Sequence, residues 1–161
     1  MIQRMQSLYL LGIVLIIGAL CFGSTFEQWN ISETAQQLYS LNLSSLRIYD
    51  QNHLLINSEM QLLTLIPAGL LAIYVLNIIF SYKDRSKQIK LCRWNFALFL
   101  LLYALAVSNG FRSIPGFSLM LAIKGSLFGT LLFVFLYYLN FRALMLIKRD
   151  ENLVRSADRI R

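Results

Sequence analysis

Residues 81–93, SYKDRSKQIKLCR, constrain this chain more than any other stretch. They set Lys83, Arg85, Lys87, Lys90 and Arg93 against one acid, Asp84, and a long apolar run abuts them on either side. Short basic segments between spans stay on the cytoplasmic side of a membrane. The segment therefore pins a helical hairpin, and the hairpin sets the sidedness of the remaining chain. Twelve of the fifteen Lys and Arg fall at Arg4, in 83–93, or after Leu139. A net charge of +7 spread in this way describes membrane sidedness, not a groove for a nucleic-acid duplex. Charged residues are 14% of the chain, against about 25% in a soluble domain.

The expected fold is an all-α membrane protein: one four-transmembrane-helix bundle over residues 1–161 with a small extracytoplasmic β-hairpin or meander. Spans are expected at about 6–23, 60–82, 91–108 and 117–147, each with the roughly 20 apolar residues that a bilayer needs. Between them lie an outer loop, 24–59, and a cytoplasmic loop, 83–90. A cytoplasmic tail, 148–161, puts both termini inside. The first span is read as retained, because Ala19-Leu20-Cys21 has Leu20 where signal cleavage wants a small residue. In the outer loop, Leu41, Leu43, Leu46 and Ile48 alternate with polar residues, a period of two that predicts strands near 38–43, 46–50 and 53–57. Phe26 and Trp29 read as interfacial aromatics at the exit of the first span. Asn109 to Gly116, NGFRSIPG, reads as a turn. Phe117 to Ile147 reads as one helix that crosses and then projects. Its Gly125 and Gly129 form a GxxxG pair, assigned to packing within the bundle rather than to dimerisation.

The sequence argues against chemistry. Cys21 and Cys92 are expected at opposite faces, too far apart for a disulfide. His53, with Asp50 and Glu59 nearby, lacks a second ligand at metal-binding spacing. No nucleophile elbow, metalloprotease helix or phosphate loop occurs. We therefore expect no enzyme, catalytic residue, metal or cofactor.

Both ends carry a resemblance. The opening MIQRMQSLYLL and the closing ENLVRSADRIR resemble an uncharacterised four-span inner-membrane family of Gram-negative bacteria, a domain of unknown function. The resemblance implies topology and a location in the bacterial inner membrane, and no activity. The layout is also similar to claudin-like tetraspan proteins, whose tryptophan and paired-cysteine signature is absent here.

The tail is the main candidate site. Leu153, Ala157 and Ile160 share a helical face with Arg155, Asp158 and Arg159 around it. It reads either as a docking helix for a partner or as a helix end held near anionic lipid. The leading expectation is a non-catalytic accessory or scaffold subunit of a larger bacterial inner-membrane complex, with protein export or envelope biogenesis as candidate pathways. Its partners are the lipid bilayer and other membrane proteins; nucleic acid is excluded and a homo-oligomer is less favoured. The alternative is a small transporter or lipid-binding protein with a polar path through Asn77, Tyr103 and Lys124. Beside that path stand plainer readings: Lys124 snorkelling to the headgroups, and Asn77 bonding to a neighbouring helix.

Overall fold

A computed structural model describes residues 2–31, 36–82 and 84–158. The elements run α1 (Ile2–Phe22), β1 (Phe26–Ile31), β2 (Gln36–Leu41), β3 (Ser45–Tyr49), β4 (Leu55–Met60), α2 (Leu62–Phe80), α3 (Arg85–Ser113), α4 (Leu119–Gly125) and α5 (Leu127–Asp158). The expected all-α class is thus overturned: among the described residues, five helices are joined by a four-stranded antiparallel sheet of order β1-β2-β3-β4.

The strand that sequence reasoning missed is β1. Its inward positions are Phe26 and Gln28, both buried, so the apolar alternation fails at the polar Gln28. Two hydrogen bonds make that burial tolerable: Gln28 Nε2 donates to the Gly116 carbonyl at 3.0 Å, and Ser118 N donates to Gln28 Oε1 at 2.9 Å. The last strand begins at residue 55 instead of 53. Asp50–Leu54 close a turn through Asp50 N to Leu54 O and His53 N to Asp50 O, with His53 at φ 57°.

Among the described residues, four helices are long and apolar enough to cross a membrane: α1 from Met5, α2, α3, and α5 as far as Val154. They close a ring in which α1 and α3 each pack on α2 and α5. The buried positions repeat at three and four residues: Leu10, Ile13, Ile17 and Leu20 on α1, and Ala68, Leu71, Val75 and Ile78 on α2. Outward faces carry exposed Leu15, Leu70, Ile73, Leu100 and Leu131, an apolar belt suited to lipid.

Two further expectations change. Asn109-Gly110 lies inside α3, not in a turn, and the missing side chain at 110 makes room for the Phe117 ring, which a Cβ there would meet at 2.7 Å. The expected 117–147 helix breaks at Ser126. Gly125 and Gly129 face the backbone beside β1 rather than a helix. A Cβ at 129 would lie 2.5 Å from the Ser24 carbonyl, and one at 125 would collide with that of Glu27. Ser126 Oγ donates to Ser24 O at 2.9 Å, so the break is a joint between α5 and the sheet.

The sheet also caps α1. A helix ends with carbonyls that lack intrahelical donors. Leu43 N donates to Leu20 O at 3.1 Å, Ser44 Oγ to Cys21 O, and Asn42 Nδ2 to Phe22 O at 3.3 Å. Three consecutive residues of the β2–β3 turn thereby satisfy three consecutive carbonyls of α1.

Candidate functional site

At the sheet end, β1 packs on α4, whereas β4, among the described residues, pairs with β3 alone. Every residue of β4, LINSEM, is exposed, with Ile56 at 54% and Met60 at 71%. Leu54 precedes the strand and is also exposed. Across the sheet, Trp29 meets His53 edge-on at 6.0 Å, and its ring is half-exposed. An edge strand presents unpaired backbone donors and acceptors, which proteins usually blunt with charge, proline or a cover. Here Glu59 is the one charged residue of the strand. The result is an unblunted hydrogen-bonding edge that exposes Leu55, Ile56 and Met60.

At the other end, the two termini of the bundle and the α2–α3 link meet in a polar junction. Gln6 Nε2 on α1 donates to the Asp150 carboxylate on α5, and Arg85 Nη1 on α3 donates to the Asp150 carbonyl at 2.9 Å. Ser86 Oγ donates to Glu151 at 3.2 Å, and Gln88 Nε2 reaches Ile78 O on α2 at 3.0 Å. Deeper in, Asn95 Nδ2 donates to Asn140 Oδ1 at 3.2 Å, and Asn140 Nδ2 donates to Cys92 O at 2.9 Å. These bonds tie all four long helices where the basic residues gather.

Sequence reasoning passed over Gln6, Asn95 and Asn140, and it placed Asp150 in the projecting tail, whereas Asp150 is buried and bonded to α1 and α3. Asn95 and Asn140 are polar interruptions of apolar runs, the same signal that singled out Asn77. The structure places Asn77 on the exposed face of α2, one turn from its end. Lys124 is exposed on α4, outside the apolar part of α5. The two thus sit at opposite ends, and the fold does not bring them together. Tyr103 packs between Phe26 and Phe133 in the core. Of the tail, Leu153 is exposed at 53% on α5. Arg155, Ala157 and Asp158 continue that helix, their side chains lying outside the described residues, as Arg159 and Ile160 do entirely. Cys21 and Cys92 are free thiols. Among the described residues, no three of His, Cys, Asp and Glu come close enough to hold a metal ion.

No curated protein matches the chain. A family model described as a domain of unknown function, DUF4293, matches residues 2–160, nearly the full length. The chain with this sheet-capped bundle belongs to the DUF4293 family.

Proposed function

We propose that this protein is a non-catalytic accessory or scaffold subunit of a larger assembly in the bacterial inner membrane. In this reading both termini and the basic junction are cytoplasmic, and the sheet stands on the outer face. Protein export and envelope biogenesis are the pathways we put first. One observation supports the assignment above others: β4 is an exposed edge strand bearing Leu55, Ile56 and Met60 on a sheet anchored to α1, α4 and α5. Exposed edges of this kind accept a partner strand through main-chain hydrogen bonds, with side-chain contacts supplying selectivity.

The inner tail offers a second contact. With 32 residues, α5 is about 48 Å long, well beyond the about 30 Å of a hydrocarbon core. Its end, with exposed Leu153 and Val154, projects past the junction.

The test is a mild-detergent pull-down of the tagged protein from native membranes, comparing wild type, Ile56→Lys and a chain ending at Asn152. That endpoint spares Asp150 and Glu151, which belong to the bundle. A stoichiometric complex lost in either variant supports the reading. A lone protein of the same particle size in all three forms contradicts it and favours transport or lipid binding.

A further inference from the structure

We infer that the basic end carries a binding site for an anionic phospholipid. A cavity of about 480 Å³ opens there between α1, α2 and the start of α3. Its volume falls within the roughly 300–1,000 Å³ of small-ligand sites. Arg85, Ser7 and Tyr82 supply polar lining, while Leu8, Leu11 and Phe80 supply apolar lining. The division follows the chain. Leu8 and Leu11 lie in the first turns of α1 and Phe80 ends α2, so the apolar part merges with the outward belt, on which all three are exposed. The polar part lies where the basic segment begins. A ligand with acyl chains and a headgroup matches both halves; a wholly polar solute matches one.

The charge of the headgroup follows from the surroundings. Arg85 is half-buried and pinned by its bond to the Asp150 carbonyl. That bond uses one of five guanidinium donors, so the group is pre-positioned on the cavity wall with donors to spare. Each nearby carboxylate accepts a hydrogen bond from a neutral donor other than the Arg85 guanidinium. Asp84 caps α3 by accepting from Lys87 N at 3.0 Å, the Asp150 carboxylate accepts from Gln6, and Glu151 accepts from Ser86. Gln88, buried and bonded to Ile78 O, closes the floor between α2 and α3. Basic pockets between spans at a membrane face are suited to anionic headgroups.

The test is native mass spectrometry of the delipidated full-length protein in detergent. It is titrated with dioleoylphosphatidylglycerol, dioleoylphosphatidylcholine or glycerol 3-phosphate. The phosphatidylglycerol adduct should exceed the phosphatidylcholine adduct about fivefold, the factor that one cation is worth towards a headgroup of net negative charge over a zwitterionic one. Arg85→Gln should abolish that preference, and Lys87→Gln, on the same helix but off the cavity wall, should keep it. Leu11→Trp fills the apolar part without touching the polar junction and should reduce both lipid adducts. Equal adducts for the two lipids on wild type would overturn the assignment. So would equal losses from Lys87→Gln and Arg85→Gln, an unchanged Leu11→Trp, or glycerol 3-phosphate displacing the lipid at equal concentration.

Discussion

Asn95 and Asn140 are hydrogen-bonded to each other at 3.2 Å, both fully buried between α3 and α5. The pair is unequal. Asn140 also donates to the Cys92 carbonyl, whereas Asn95 Oδ1 has no partner among the described residues. Asn140→Leu therefore leaves the buried Asn95 amide with neither polar atom bonded and should destabilise the bundle by about 1–2 kcal/mol. Asn95→Leu should stay below about 1 kcal/mol. The double variant should cost less than the sum of the two, since neither partner is then left unpaired. Reversible unfolding in mixed micelles measures all three; equal single effects would contradict the asymmetry.

Gly125→Ala should destabilise by about 1–3 kcal/mol, the usual range for forcing a methyl into a packed site. The methyl would meet the Glu27 carbonyl, which belongs to a paired strand and cannot simply swing away. Gly18→Ala is the matched control, because nothing lies within 4 Å of the added carbon. It should be neutral or slightly stabilising, as alanine is the better helix former. Thermal denaturation of both variants measures the contact, and an unchanged Gly125→Ala would contradict a close approach of the Glu27 backbone.

Thr64→Val should cost about 1 kcal/mol while preserving shape. Thr64 Oγ1, buried at the start of α2, donates to the Leu43 carbonyl at 2.7 Å. Leu43 in turn donates its N–H to Leu20 on α1. The loss should therefore raise hydrogen exchange at Leu43 and in the last turn of α1, with little change at β4. Unaltered exchange at Leu43 would show that the link from α2 to α1 is not energetically coupled.

The helices were legible because apolar runs and basic breaks are long-range patterns that tertiary packing reinforces. The sheet was legible where polar and apolar residues alternate cleanly, as along Leu46-Arg47-Ile48, and invisible at β1. There Gln28 faces inward and is satisfied by Gly116 and Ser118, some 90 residues away in the chain. Distance in sequence also hid the role of Gly125 and Gly129. A GxxxG spacing says that something approaches closely, and the something proved to be strand backbone. Asn109-Gly110 has turn propensity, but the Phe117 ring fills the space over Gly110 and α3 runs on. Asn77, Asn95 and Asn140 look alike as letters. Only the packing distinguishes the exposed one from the bonded pair.

The central claim is that the β4 edge is covered by another polypeptide. Its most direct test puts the photocrosslinker p-benzoylphenylalanine in place of Ile56 and irradiates intact native membranes. The account predicts one discrete heavier adduct containing a different protein, abolished by Leu55→Lys on the same exposed strand. Crosslinks to lipid alone, or to a second copy of this chain, would contradict it.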